Sequence, residues 1–234
     1  MATTTGMVRL AAVSDIHVTK TSQGAFASLF SQVSERADVL VLAGDLTDYG
    51  LPDEARVLAR EVSTSLRVPC VAVLGNHDFE AGKAVEVRQI LADAGVTVLD
   101  GDSCEFHGVG FAGVKGFCGG FGRGALGPWG EDIIKSFVHE AVNEAFKLES
   151  ALARLRSPHR VALLHYSPVR ATVEGEPLEI FPYLGSSRLE EPLALLLLDH
   201  VEHARRNVDV VADDSPVFRH QLKRRQEELL LVGT

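Results

Sequence analysis

Four short apolar runs constrain the fold of this 234-residue chain more than any other feature of its sequence. They lie at residues 8–13, 39–43, 71–74 and 161–164 and consist mostly of β-branched residues, leucine and alanine. Runs without polar alternation are typical of strands that are buried on both faces, as in a sheet covered by helices. The sequence therefore predicts a sheet with helices packed against it.

Helical patterns lie between the first of these runs, at residues 25–36, 52–66 and 83–94. Pro52 is followed by two acidic residues, which favours a helix start, because proline suits the first turn and acidic side chains suit the positive end of the helix dipole. Strands that alternate with helices predict an α/β fold with an at least partly parallel sheet.

A second half of the chain begins near residue 96. Residues 96–99, 105–109 and 110–114 predict short antiparallel strands joined by Asp/Gly turns. A glycine-rich segment follows at residues 116–130, which is compatible with a plain loop or with a flap over a binding site. No linker divides the sequence, so we expect a single domain over residues 1–234.

Three further elements are predicted toward the C-terminus. Residues 131–156 carry apolar side chains at helical spacing and predict a long amphipathic helix, whose stripe serves core packing or self-association. A helix at 189–206 and a strand at 208–211 follow, and the chain becomes atypical from about residue 212.

Charge and cysteine content exclude several classes of protein. The formal net charge of −9 argues against binding of long nucleic acid through its phosphates. The three cysteines form no CxxC pair, so we expect neither a disulfide framework nor a thiolate zinc site, but reduced thiols in a cytoplasmic protein. The longest apolar run, at residues 193–198, is far shorter than the ~20 residues of a membrane helix, so we expect no membrane partner.

Each of the four apolar runs ends in side chains that can bind a metal ion. In open α/β sheets, ligands bind outside the carboxyl ends of the strands, so these side chains are expected at one edge. A mixture of carboxylate, imidazole and amide oxygen suits a borderline divalent ion such as manganese, iron or zinc. The residues are Asp15 and His17, Asp45 and Asp48, Asn76, His77 and Asp78, and His165.

The spacing of these residues suggests which side chains bind the same ion and which one stays free to act on a substrate. Asp15 and His17 are two residues apart, so along an extended segment they point the same way and hold one ion together. Asp45 has two oxygens and can bridge two ions at the ~3.5–4 Å separation of two-metal sites. Asn76 offers a neutral oxygen, whereas His77 points elsewhere and stays free to act on a substrate oxygen.

These motifs, D-x-H at 15–17, G-D-x-x-D at 44–48, G-N-H-D at 75–78 and a later strand-end histidine, resemble those of the calcineurin-like metallophosphoesterases. The resemblance implies an α/β fold in the form of an αββα sandwich, with two mainly mixed sheets flanked by helices. It also implies two divalent metal ions and hydrolysis of a small phosphorylated substrate by a metal-activated water. Whether that substrate is a phosphomonoester or a phosphodiester stays open.

The resemblance also assigns a role to each matching residue. It implies that Asp15 and His17 hold the first metal, that Asn76 and His165 hold the second metal, and that Asp45 bridges the two metals. It further implies that His77, with Asp78 behind it, protonates the leaving oxygen or stabilises the transition state. Asp48 either orients a metal ligand or caps the helix that begins at Pro52.

One motif of the family is missing from the sequence. The family closes its site with a G-H-x-H motif after a further strand, whereas the strand at 208–211 is followed here by Ala-Asp-Asp-Ser-Pro at 212–216. Each metal then keeps three candidate protein ligands, counting Asp45 for both. Three alternatives stay open: Asp213 or Asp214 replaces a ligand, the tail folds differently, or this C-terminal segment is a frameshifted or altered version. The alternative to an active phosphoesterase is an impaired, non-catalytic scaffold that binds metal or phosphate.

Overall fold

A computed structural model describes residues 7–198, 209–212 and 229–232 of the chain. Helices and strands alternate along it, and the pattern changes after the fourth strand. The strands are β1 (Arg9–Val13), β2 (Val39–Ala43), β3 (Cys70–Val73), β4 (Val96–Val98), β5 (Asp102–Phe106), β6 (Val109–Val114), β7 (His159–Leu164), β8 (Asp209–Ala212) and β9 (Leu229–Val232). The α-helices are α1 (Ala27–Arg36), α2 (Pro52–Ser65), α3 (Ala84–Asp93), α4 (Asp132–Arg154), α5 (Phe181–Leu184) and α6 (Glu190–Leu198).

The strands form two sheets. The first has the order β4-β3-β2-β1-β8, and all its described pairs are parallel. The second has the order β5-β6-β7-β9, in which β5 and β6 are antiparallel and the other described pairs are parallel. Because parallel strands end at the same edge, the residues that follow β1, β2 and β3 meet at one edge of the first sheet.

The expectation for residues 96–114 was partly wrong. β4 does not belong to an antiparallel set, because it pairs in parallel with β3 and so extends the first sheet. The strand predicted at 105–109 lies instead at Asp102–Phe106, and the turn around Gly108 separates it from β6. The error arose because strands this short give no sequence signal that identifies the sheet they join.

Three apolar cores separate the layers of the molecule. Alternate residues of β1 and β2, such as Leu10 and Val41, pack against Phe111 and Leu163 of the second sheet. The opposite face of the first sheet packs against α1, α2 and α3, and the opposite face of the second sheet packs against α4. Burial on both faces explains the continuous apolar runs, and the arrangement confirms the predicted αββα sandwich.

The helix α4 lies where the long amphipathic pattern predicts it. Its apolar stripe packs on the second sheet through residues such as Leu148 and Ala151, so the stripe serves the core. The glycine-rich segment before it is hydrogen-bonded to the chain around α5 and α6. Gly119 donates to the carbonyl of Pro182 at 2.7 Å, and Gly120 donates to that of Gly185 at 2.9 Å.

The structure describes only part of the C-terminal region for which the sequence predicts a helix and a strand. The predicted helix at 189–206 is observed over α6, and the predicted strand at 208–211 is observed as β8, parallel to β1. Residues 199–208 and 213–216, which include both candidate replacement ligands, lie outside the described residues. None of the described helices combines the length and the apolar character that crossing a membrane requires.

Candidate metal centre

The loops after β1, β2, β3 and β7 meet at the carboxyl edge of the two sheets. The loops after β1 and β2 run side by side, because the amides of Asp15 and His17 donate to the carbonyls of Gly44 and Asp45 at 3.1 and 3.0 Å. The amide of His77, after β3, donates to Asp45 Oδ1 at 2.9 Å. Backbone hydrogen bonds therefore hold the site loops in place.

Three of the predicted ligands adopt an unusual backbone conformation. Asp15, His17 and Asp45 have φ angles of 54°, 42° and 47°, in the left-handed region that non-glycine residues rarely adopt. The expectation that Asp15 and His17 lie along an extended segment was therefore wrong. Backbone strain of this kind is found at functional sites, where the surrounding structure imposes it.

The Asp45 carboxylate lies at the centre of the cluster and is almost fully buried. Its Oδ1 is 3.6 Å from Nε2 of His165, and its Oδ2 is 3.8 Å from Nε2 of His17 and 4.0 Å from Nε2 of His77. The two oxygens thus face different imidazoles. This is the geometry expected of a carboxylate that bridges two ions.

Two groups of possible ligands share Asp45. One contains His17 and His77, and the other contains Asp15 and His165; within each group one ligand atom from every residue lies within 4.8 Å of the others. The structure therefore brings together Asp15, His17, Asp45 and His165, as the sequence predicts. It does not group Asp15 with His17, and it adds His77 to the first group. The predicted ligand roles stay predictions.

His165 and Asn76 face each other. His165 Nε2 lies 2.9 Å from Asn76 Oδ1, and its Nδ1 lies 3.1 Å from the carbonyl oxygen of Ala43. Since a carbonyl oxygen only accepts, the Nδ1–H group is the donor to Ala43, and Nε2 is the ring atom directed at the Asn76 oxygen. The predicted pairing of Asn76 and His165 is thus supported by their proximity.

His77 is half-buried and has a fixed orientation. Its Nδ1 donates to the carbonyl of Asp48 at 2.7 Å, which leaves Nε2 directed at the cluster. Burial acts to lower the pKa of His77, but the Asp48 carbonyl and the carboxylates of Asp45, Glu80 and Asp48 outweigh it and raise the pKa. The geometry is compatible with a metal ligand and with a proton donor.

Asp78 holds the loops together from behind the cluster. Its side chain is fully buried, and its two oxygens accept hydrogen bonds from the amides of Leu46, Thr47 and Gly75 and from the Thr47 hydroxyl, at 2.6–3.1 Å. Burial raises the pKa of Asp78, and these four hydrogen bonds act in the opposite direction. The hydrogen bonds of Asp78 indicate a structural role for this residue. A catalytic role of Asp78 beside His77 stays a prediction.

The two readings of Asp48 are distinguished by its neighbours. Asp48 Oδ1 lies 3.4 Å from Nδ1 of His17, which places the carboxylate behind a predicted ligand. The start of α2 is capped by another residue, because Glu54 Oε2 accepts the amides of Tyr49 and Leu51 at 2.9 and 3.2 Å. Asp48 therefore orients His17, as in many metal sites where a carboxylate supports a histidine ligand.

The donor set fits divalent metal ions. Carboxylate, imidazole and amide oxygen converge on one buried carboxylate, and this mixture suits first-row transition ions. His17 Nδ1 is buried and has no hydrogen-bond partner among the described residues, although Asp48 lies beside it. The fit to a metal rests on the donor set, because Nδ1 faces Asp48 and Nε2 is the His17 atom that faces Asp45.

Sequence reasoning passed over one residue at this edge. Lys115 directly follows β6, and its carbonyl accepts the amides of His165 and Tyr166 at 3.2 and 3.0 Å. A lysine after a buried apolar strand, at the edge where the other strands present ligands, was the available signal. It was overlooked because lysine is no ligand for a divalent metal.

Comparison with known proteins agrees with this geometry. Residues 8–165 match the family model described as "Calcineurin-like phosphoesterase", and this range contains the predicted site residues from Asp15 to His165. A stretch of 54 residues is 41% identical to "Glycerophosphodiester phosphodiesterase GpdQ" of Enterobacter lignolyticus (strain SCF1). The aligned stretch covers 23% of this chain and 19% of that protein, so the chain spans about a fifth of this curated relative.

The close packing around Gly75 yields a test of the centre. A Cβ at this position would overlap the side chain and the amide of Asp45. We expect Gly75→Ala to displace Asp45 and to weaken manganese binding by about tenfold to a hundredfold, the usual range for disturbing the residues that support a ligand. Equilibrium dialysis with Mn²⁺ measures this.

Gly124→Ala is the matched control, since a Cβ there meets nothing within 4 Å. Both variants should retain the circular dichroism spectrum of the parent protein. Equal manganese affinity in the two variants would contradict a central position for Asp45.

Proposed function

Because the chain belongs to the calcineurin-like phosphoesterase family, we propose that it is a metal-dependent phosphoester hydrolase acting on a small phosphomonoester or phosphodiester. The observation that carries the proposal is the pair of ligand groups that share the buried carboxylate of Asp45. The similar protein of Enterobacter lignolyticus is named a phosphodiesterase, which supports keeping a diester among the candidate substrates.

Two divalent ions, such as manganese, iron or zinc, are the proposed cofactors. Asp45 would contribute to both ions, His17 would hold one, and Asp15 and His165 would hold the other together with the nearby Asn76 oxygen. When bound, such ions polarise phosphoryl oxygens and lower the pKa of a bound water toward neutrality.

The chain itself supplies orientation and a proton. The Asp48 carboxylate lies 3.4 Å from Nδ1 of His17, and the Ala43 carbonyl accepts a hydrogen bond from Nδ1 of His165, while Nε2 of each ring faces Asp45. His77 is fixed by the Asp48 carbonyl, with Nε2 on the side of Asp45. We propose that this ring donates a proton to the leaving oxygen of the ester.

The proposed location is the cytoplasm. The three cysteines are free thiols, and Cys70 and Cys118 are buried, which supports a reducing compartment. The acidic composition supports a small substrate rather than a long nucleic acid. Self-association and a single domain over residues 1–234 stay predictions.

Hydrolysis of two chromogenic esters tests the function. With added manganese, the protein should hydrolyse p-nitrophenyl phosphate or its bis-ester, and chelation of the metal should stop turnover. Asp45→Asn should lower kcat/KM by about a thousandfold, because it weakens the ligand shared by both groups. Asp132→Asn, at a carboxylate that is 99% exposed, is the control and should leave turnover unchanged.

Because the G-H-x-H motif is missing, the same experiment also tests whether the protein binds metal without hydrolysing either ester. If manganese, iron and zinc all fail to support turnover of either ester while the protein still binds metal, the impaired scaffold is the correct description. Activity that persists fully after chelation would contradict both descriptions.

The role of His77 is tested by separating metal content from turnover. A proton donor is worth about two to four powers of ten in rate, so His77→Ala should lower kcat by this amount and leave the metal content intact. Elemental analysis of the metal-loaded protein gives the second quantity. The exposed His139→Ala on α4 is the control. Loss of one ion from a folded His77→Ala protein would show that His77 is a ligand.

A further inference from the structure

Lys115 lies beside the metal centre without belonging to it. It follows β6, and its carbonyl accepts the amide of His165, the residue that follows the neighbouring β7. Phe111, four residues earlier, and Leu163, two residues before His165, both face the first sheet. Strand alternation therefore places Lys115 and His165 side by side at the mouth of the space between the sheets.

The ammonium group of Lys115 is enclosed by three aromatic rings. Its Nζ lies 5.2, 4.8 and 5.2 Å from the ring centroids of Phe79, Phe117 and Tyr166. Ring faces attract a cation, and the attraction is stronger where the cation is desolvated. The rings thus favour a charged lysine at a position that is shielded from water.

Most of the hydrogen-bonding capacity of this ammonium is unused. It donates to the carbonyl of Gly116 at 3.0 Å and forms no ion pair with the described residues. Glu144, which acts on it electrostatically, is occupied elsewhere, because its two oxygens accept the Gly116 amide at 2.8 Å and the Lys147 ammonium at 2.6 Å. Since an ammonium has three N–H donors, two remain for another partner.

Burial makes this ammonium responsive to an anion. Desolvation lowers the pKa of Lys115, and the carboxylates of Glu144 and Glu140 only partly oppose that effect. An anion that approaches replaces the lost solvation, and its attraction is stronger in a shielded site than in bulk water. The enclosure would therefore be completed by a negatively charged group.

Two rings of the enclosure belong to the loops that carry the candidate ligands. Phe79 closes the short turn that begins at His77, and the Tyr166 ring lies 5.3 Å from that of His165. The ammonium thus lies between a residue of the loop after β3 and a residue of the loop after β7, the two loops that carry Asn76 and His165.

A cavity of about 90 Å³ adjoins the enclosure. Apart from Lys115, its charged lining residues are already paired, because Arg88 donates to Asp102 at 2.8 Å and Asp100 accepts from Lys147 at 3.0 Å. Among the described residues that line this cavity, Lys115 is therefore the charged residue without an ion pair.

We propose that Lys115 is a substrate-binding residue whose ammonium pairs with an anionic oxygen of the phosphoester and so favours a phosphomonoester over a phosphodiester. The inference rests on the proposed function and deepens it. A monoester carries a charge of about −1.5 to −2 at pH 7, whereas a diester carries a single negative charge. One half-buried cation outside the metal cluster therefore stabilises the bound monoester more than the bound diester.

Substitution of Lys115 by Met and by Arg tests the inference. Methionine keeps the length and fills a space between aromatic rings without charge, and arginine keeps the charge. The measurements are kcat and KM for p-nitrophenyl phosphate and its bis-ester, and the Kd of inorganic phosphate for the manganese-loaded protein by titration calorimetry. Lys135→Met, on the exposed surface of α4, is the control.

We expect Lys115→Met to raise the phosphate Kd and the monoester KM by about tenfold to a hundredfold, the usual worth of a hydrogen bond to a charged group. The diester KM should rise much less, kcat should change less than KM, and metal content should stay the same. Lys115→Arg should recover most of the phosphate affinity, and Lys135→Met should match the parent protein.

Three outcomes would overturn the inference. They are an unchanged phosphate Kd in Lys115→Met, an equal loss for both esters, and a parent protein that does not bind phosphate. If the parent protein hydrolyses neither ester, the proposed function fails, but the phosphate Kd still decides the role of Lys115. If Lys115→Met does not fold, Lys115→Gln, which keeps a polar head without charge, replaces it in the same measurements.

Discussion

The placement of the Asp45 carboxylate is the interaction on which the rest of the site depends. It accepts the amide of His77, and its two oxygens face the Nε2 atoms of His165 on one side and of His17 and His77 on the other. The lack of a side chain at Gly75 makes room for it. Three loops from the first sheet and one from the second therefore converge on a single buried charge.

Such convergence strains the backbone. Asp15, His17 and Asp45 each adopt a left-handed conformation, which costs about 1–3 kcal/mol per residue in a sparsely populated region. The surrounding sandwich imposes these conformations, since β1 and β2 are buried on both faces and the loops after them are hydrogen-bonded to each other. Asp78 adds four hydrogen bonds from below, so the rigid part of the fold maintains a site that would not form in isolation.

The sequence predicted the frame and the chemistry better than the local geometry. Continuous apolar runs identify β1, β2, β3 and β7 because burial on both faces leaves no polar alternation. Carboxylate and imidazole side chains after each run identify the site because parallel strands end at one edge. The assignment of β4 to the first sheet was not predictable, because three residues contain no information about their partner strand.

Other features depended on contacts between distant segments. The left-handed backbone at Asp15 and His17 follows from pairing with the loop after β2, which no spacing rule within the motif reveals. The hydrogen bonds from Leu46 and Thr47 to Asp78, and the contacts of Lys115 with Phe79 and Tyr166, likewise join residues more than 25 positions apart in the chain. Such contacts become visible only once the fold is known.

Electron paramagnetic resonance of the protein saturated with Mn²⁺ tests the central claim most directly. If Asp45 joins two ligand groups, two ions bind per chain at the ~3.5–4 Å separation of two-metal sites, and the spectrum should show an exchange-coupled pair. A spectrum at saturation that contains only isolated Mn²⁺ would contradict the claim that Asp45 serves two metals.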